Sequence, residues 1–119
     1  MYRIWYTIIG VSIINEVEWN KETLKEIASF PDEVKRDIGY LIFKLQIGER
    51  LEMPSSRPMP SLGKGCYELR SKGIDGIYRI FYFVKIKGKV LIFHAFNKKT
   101  QKTPKKEIDL GKKNLKAML

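Results

Sequence analysis

Residues 66–96 read CYELRSKGIDGIYRIFYFVKIKGKVLIFHAF, and this run decides the fold. Cys66–Lys72 alternates, Ile77–Ile86 is rich in Tyr, Phe, Ile and Val, and Val90–Phe96 is a run of buried character. Gly73–Gly76 and Lys87–Lys89 separate the three at hairpin distance, which predicts a three-stranded antiparallel meander. Side chains alternate faces along a strand. Cys66, Glu68, Arg70 and Lys72 therefore point one way, and Tyr67 and Leu69 the other. On the next strand Arg79, Phe81 and Phe83 share one face, while Tyr78, Ile80, Tyr82 and Val84 share the opposite one. A hairpin that keeps the hydrophobic set together puts Glu68, Arg70, Arg79 and Phe81 on one surface. The same residues also make an ordinary cross-strand salt bridge on a solvated face. Charge elsewhere in the chain tips the balance toward function.

Upstream of the meander, residues 2–9 (YRIWYTII) suit a first strand. Residues 20–28 (NKETLKEIA) predict a short helix capped by Asn20, with Leu24, Ile27 and Ala28 on one face. Pro31 suits a first helical turn, and Asp32 and Glu33 complement the positive end of the helix dipole. Val34, Ile38, Leu41, Ile42 and Leu45 then recur at steps of three and four until Gly48 stops the helix. Residues 49–65, with three prolines, three serines and two glycines, form a loop. Downstream, Thr103 as N-cap and Pro104 at the first turn open a last helix, with Ile108, Leu115 and Leu119 inward. Gly111 weakens it, because a mid-helix glycine costs ~1 kcal/mol against alanine. The order gives an α+β fold: a mostly antiparallel sheet of about four strands, with helices on one face and the other face open to a ligand.

The chain has 119 residues, the size of one domain, so residues 1–119 are read as a single unit. One cysteine excludes an intrachain disulfide framework and a multi-cysteine zinc site. One histidine excludes any intrachain mechanism or metal site that needs two. No metal or cofactor is implied. The apolar opening Ile4–Ile14 is too short to span a bilayer, which takes ~20 residues. It also lacks the n-region and cleavage pattern of a signal peptide, so a cytoplasmic protein is expected.

Net charge is +10, and it is unevenly placed. Residues 1–84 hold twelve basic and eleven acidic side chains, whereas residues 85–119 hold eleven lysines against Glu107 and Asp109. A solubility-giving surface explains part of this. So concentrated a field favours a polyanion. Within it lies Asn97-Lys98-Lys99-Thr100-Gln101-Lys102-Thr103-Pro104-Lys105-Lys106, between a buried strand and a helix start. Lysines, hydroxyls, an amide and free helix N–H groups are all phosphate ligands. Lys99, Gln101, Lys102, Lys105 and Lys106 are accordingly candidates for binding a polyanion such as RNA, DNA or an acidic protein. His94, in an apolar run, is read as a hydrogen-bonded structural residue, and Cys66 as a small packing residue.

Three segments carry a resemblance. Leu62-Gly63-Lys64-Gly65-Cys66-Tyr67-Glu68-Leu69-Arg70 resembles the pattern L-x-x-G-L-Y-E-L-R. Gly76-Ile77-Tyr78-Arg79-Ile80-Phe81-Tyr82 resembles G-I-Y-R-V-F-Y. The stretch from His94 to Pro104 resembles H-G-F-x-K-K-T-Q-K-T-P. In this order they are similar to the phage-derived, HigB-like branch of the RelE/HigB toxins of bacterial toxin–antitoxin pairs. The sequence departs from the pattern at Cys66 and Ala95 and in an apolar insertion over residues 10–19. The resemblance implies a RelE-like fold and an endoribonuclease that cleaves mRNA, usually on the ribosome. It also implies a co-encoded antitoxin, often of helix-turn-helix type. The matching positions are Glu68, Arg70, Arg79, Phe81, Lys98 and Lys99.

Metal-free RNA cleavage uses the 2′-hydroxyl as nucleophile and needs a base, charge for the phosphorane, and an acid for the leaving oxygen. On this reading Glu68 is the base, Arg70 and Arg79 hold it ionised, and Arg79 meets the phosphorane. Phe81 stacks on a base, and Lys98 or Lys99 binds phosphate or supplies the proton. The alternative is a non-enzymatic relative that poisons DNA gyrase, or a module that only binds RNA or its antitoxin.

Overall fold

The computed structural model describes residues 13–85, 88–98 and 102–119. The elements run β1 (Glu16–Trp19), α1 (Lys21–Ala28), α2 (Asp32–Gln46), β2 (Ser56–Pro58), β3 (Cys66–Gly73), β4 (Gly76–Lys85), β5 (Lys89–Lys98) and α3 (Lys105–Met118). The expected strand over residues 2–9 lies outside the described residues.

The meander is present as predicted, with β3, β4 and β5 antiparallel in sequence order. Two edges were not foreseen. β1 falls within the apolar insertion and pairs parallel to β5, and β2 falls within the proline-rich loop and pairs antiparallel to β3. The sheet therefore has five strands in the order β1-β5-β4-β3-β2 and is mixed. Both edges are short, and β2 ends on Pro58, which lacks the N–H a longer ladder needs. That is why composition alone reads this segment as loop.

α1 is capped by Asn20, whose side chain accepts from the Thr23 backbone N–H at 3.0 Å. Its inner face is Thr23 and Ile27, while Leu24 is exposed. α2 buries the predicted stripe of Val34, Ile38, Leu41, Ile42 and Leu45. These side chains pack on Leu69, Tyr78, Ile80, Tyr82, Val90 and Ile92, the face of the meander assigned to the core. Full burial of each such aliphatic side chain stabilises the fold by about 1.5–3 kcal/mol. Ser71 Oγ donates to Asp37 at 2.7 Å and fixes α2 on β3. In the same layer Tyr82 and Ser56 share a buried hydroxyl–hydroxyl bond of 2.6 Å, joining β4 to the β2 edge.

The helices do not all lie on one face. α3 crosses the opposite side, where Ile108, Leu115 and Met118 meet Met59, Leu62, Cys66, Phe81, Leu91 and Phe93. The physical reason is that Phe81, Leu91, Phe93 and Phe96 make that face apolar over half its length, so it must also be covered. β5 carries a bulge here: Phe81 stands opposite His94 and Tyr82 opposite Ile92, leaving Phe93 as the extra residue. Asn114 of α3 donates to the Phe93 carbonyl at 2.8 Å. His94 Nε2 lies 2.8 Å from Glu107 Oε1, which agrees with a structural role for the histidine. Gly111 marks the closest approach of α3, since a Cβ there would stand 2.7 Å from a ring carbon of Phe81.

Two stability predictions follow from this packing. Gly111→Ala gains ~1 kcal/mol of helix propensity, yet overpacking against the immobile Phe81 ring costs about 1–3 kcal/mol. Urea denaturation should show a net loss, and a stabilised variant would mean that α3 is not held at this distance. Burial pushes the Tyr82 phenol up to about 12 in the folded state, against 10 for the free group. The folded state then keeps a proton that the unfolded chain releases, so this contribution is complete below pH 10 and is lost as the pH rises toward 12. Wild-type stability should fall across that window, and Tyr82→Phe should flatten the decline.

Candidate functional site

At one end of the sheet, the face under α3 changes from apolar to charged. The register sets the rows: Glu68 stands beside Phe81, Arg70 beside Arg79, and Lys72 beside Ile77. On the other side of β4, Arg79 neighbours Phe96 and Ile77 neighbours Lys98. The alternation read from the sequence therefore brings Glu68, Arg70 and Arg79 to one face, and the register beyond the bulge in β5 adds Lys98.

Glu68 is the centre. Its side chain is 0% exposed, as is that of Arg79, whereas Arg70 is 15% and Arg57 is 32% exposed. Oε1 of Glu68 accepts from Arg57 Nε at 3.0 Å and from Arg79 Nη1 at 3.2 Å, and Arg70 Nε lies 3.7 Å away. Oε2 accepts from the Thr103 hydroxyl at 2.9 Å. The Thr103 oxygen in turn accepts from Arg57 Nη2 at 3.0 Å and from Arg79 Nη1 at 3.3 Å. One carboxylate and one hydroxyl thus gather three guanidiniums, leaving a local charge of about +2. Burial lowers the Arg79 pKa, and the attraction of Glu68 offsets this in part. A guanidinium remains charged even so. The result is a fixed cationic core with a solvent-facing rim of Arg70 and Arg57.

Two members of this cluster escaped the sequence reading. Arg57 sits in the segment read as loop, and only the register of β2, with Arg57 opposite Glu68, reveals it. Thr103 carries the capping signal for α3, but Pro104 holds that position and the Thr103 hydroxyl donates to Glu68 instead. A threonine before a proline carries the capping signal whichever role it plays.

Two expected roles meet a different geometry. Phe81 is 0% exposed, enclosed by Phe93, His94 and Phe96 at ring separations of 5.4–6.0 Å. No face of its ring is open to a nucleobase; the bulge and Gly111 draw α3 over it. Glu68 has both oxygens engaged below the surface, whereas a base must come within about 2.6–3.2 Å of the proton it takes. In this arrangement both oxygens face arginines and Thr103 and neither faces solvent.

The remaining candidates are spread along the approach to α3. Lys98 is half-buried at the end of β5, and Lys102 and Lys106 are exposed. Lys105 is exposed and pairs with Asp109 at 2.8 Å. Lys99 and Gln101 lie outside the described residues. Cys66 is buried, and desolvation raises its thiol pKa, as suits a packing residue. Among the described residues no group of three or more His, Cys, Asp or Glu is placed to hold a metal, and no helix is long and apolar enough to cross a membrane.

Removing one partner of a buried ion cluster leaves an uncompensated charge. Glu68→Ala should therefore lower the unfolding free energy by about 3–5 kcal/mol. Arg57→Ala, on the rim, should cost about 1 kcal/mol. Equal midpoints for the wild type and Glu68→Ala in urea denaturation would show that the carboxylate does not hold the cluster.

Residues 25–116 match the family described as phage-derived protein Gp49-like (DUF891). No functionally curated protein shows significant similarity to the chain. Among solved structures, a doubly substituted form of Escherichia coli toxin RelE in the free state superposes with a TM-score of 0.59. The match covers 90% of this chain and 100% of that one at 18% identity, a likeness of fold. The family match runs from α1 into α3. This chain belongs to the phage-derived Gp49-like family and has the fold of the RelE toxin.

Proposed function

We propose that the protein is the toxin of a bacterial toxin–antitoxin pair, of the HigB-like branch, and that it cleaves mRNA without a metal, on the ribosome in the cytoplasm. The observation that carries this reading is the three-arginine cluster around Glu68. A single carboxylate cannot neutralise it, so the face has a net positive site ready for a phosphate. The KKTQKTP segment stands between β5 and α3 in the sequence and adds lysines for the strand.

In this mechanism the RNA 2′-hydroxyl attacks the adjacent phosphorus, the 5′-oxygen leaves, and a 2′,3′-cyclic phosphate forms. Negative charge develops on the phosphorane oxygens, where preorganised donors lower the barrier most. Arg70 and Arg57, at the rim, meet the non-bridging oxygens, and the planar guanidinium fork suits two of them. Arg79 is the fixed positive charge beneath. Glu68 is a positioning residue that holds all three. Lys98 protonates the leaving oxygen, and Lys99, Gln101, Lys102, Lys105 and Lys106 bind the flanking strand. With no histidine in the cluster and Glu68 below the surface, the 2′-hydroxyl proton passes to a solvent water. Orientation of the message by the ribosome supplies part of the rate. An antitoxin of helix-turn-helix type is the expected protein partner.

Burial of Glu68 specifically favours a second reading, in which the face binds RNA or its antitoxin and performs no chemistry. One experiment separates the two. Induced expression should arrest growth and create new 5′ ends inside translated messages, mapped by primer extension. Arg70→Ala, at the rim, should reduce cutting by at least ~10²-fold while the protein stays folded. Growth arrest with intact messages rejects the nuclease; if DNA supercoiling is then damaged, the target is gyrase. RNA bound but left uncut supports the binder.

A further inference from the structure

Beside the arginine cluster, the same face holds a cleft of about 310 Å³ lined by Pro54, Ser55, Arg70, Lys72 and Ile77. Its volume is at the lower end of ligand-binding cavities, the scale of one small ligand and not of a strand. Its floor is the half-buried Ile77. The sheet places Lys72 on one side of Ile77 and Lys98 on the other, in a single row across β3, β4 and β5. One row along, Arg70 joins the cleft to Glu68, with Nε 3.7 Å from the carboxylate. The Ser55 carbonyl accepts from the Arg70 backbone N–H at 2.8 Å, so the opposite wall is fixed to the strand that carries the arginine.

We infer that this cleft is a subsite for one RNA nucleotide next to the scissile phosphate, with the base against Ile77 and Pro54 and the phosphate between Arg70 and Lys72. The inference rests on the nuclease reading and deepens it by assigning the base contact to Ile77 and Pro54, which lie outside the cleavage machinery. An apolar floor between cations matches a flat, apolar-faced base linked to an anion. A ligand that was only anionic would gain nothing from Ile77 or Pro54. Phe81 is enclosed, so this cleft takes over the base-contacting role expected of that ring. Ser55 is the wall residue whose hydroxyl is suited to reading a base edge.

The test uses the full chain and a fully 2′-O-methylated single-stranded RNA, which binds without being cut, with affinity read by fluorescence anisotropy. A second set of oligonucleotides carries one abasic position each. Wild-type protein should lose affinity at a single abasic position. Ile77→Ser should weaken binding of the intact RNA about tenfold, the order expected for one apolar contact, and should change nothing with that abasic RNA. Lys72→Ala, at an exposed position, should leave the melting temperature unchanged and reduce the slope of log affinity against log salt by about 0.7. If both variants bind intact and abasic RNA as the wild type does, the subsite is refuted and the nuclease reading stands. If wild-type protein binds no RNA at any salt concentration, both fail.

Discussion

The charge balance at Glu68 is the constraint on which the functional face depends. Its carboxylate is fully buried with a fully buried guanidinium beside it, an arrangement that is costly unless each charge is paired and hydrogen-bonded. The cost is met by convergence from four separate parts of the chain: Arg57 from β2, Glu68 and Arg70 from β3, Arg79 from β4 and Thr103 from the approach to α3. Meeting that condition aligns the edge strand, the central hairpin and the last helix together. The positive potential at the rim is then a property of the fold and not of mobile surface lysines. Such fixed charge is what a transition state with growing negative charge requires.

The meander and the two-faced sorting of its side chains were legible because period-two alternation is a local property. Glu68, Arg70 and Arg79 were assigned to one face from spacing alone, and the register places Arg70 beside Arg79. α2 was equally plain, since Val34, Ile38, Leu41, Ile42 and Leu45 form one stripe. What was not legible depended on partners far away in sequence. Glu16–Trp19 becomes a strand only beside β5, and Ser56–Pro58 only beside β3. The depth of Glu68 and Phe81 was hidden for the same reason. Alternation says which side of a sheet a residue faces, but not whether a helix later covers that side.

Tertiary demand also redirected local signals. Thr103 carries a helix-capping pattern, yet its hydroxyl closes the ring of donors and acceptors around Glu68. Gly111 reads as a defect in a helix, yet it is what allows α3 to lie against Phe81. In each case a weaker helix is accepted in return for closer contact with the face that bears the arginines. α3 and the cation cluster are therefore coupled: a partner that lifted the helix would also strip Thr103 from the carboxylate.

The bulge at Phe93 has a consequence that reaches past its own position. Without the bulge, strict alternation from Leu91 and Phe93 would send Phe96 and Lys98 to the side occupied by α2. The irregularity shifts the phase of the strand by one step, so Phe96 stands next to Arg79 and Lys98 next to Ile77. Deleting Phe93 would restore a regular ladder with Lys98 still beside Ile77, whereas closing the bulge at unchanged length would turn the lysine to the other side. The polarity of the sheet's far end thus depends on the strand taking up its surplus residue at one place, between Ile92 and His94.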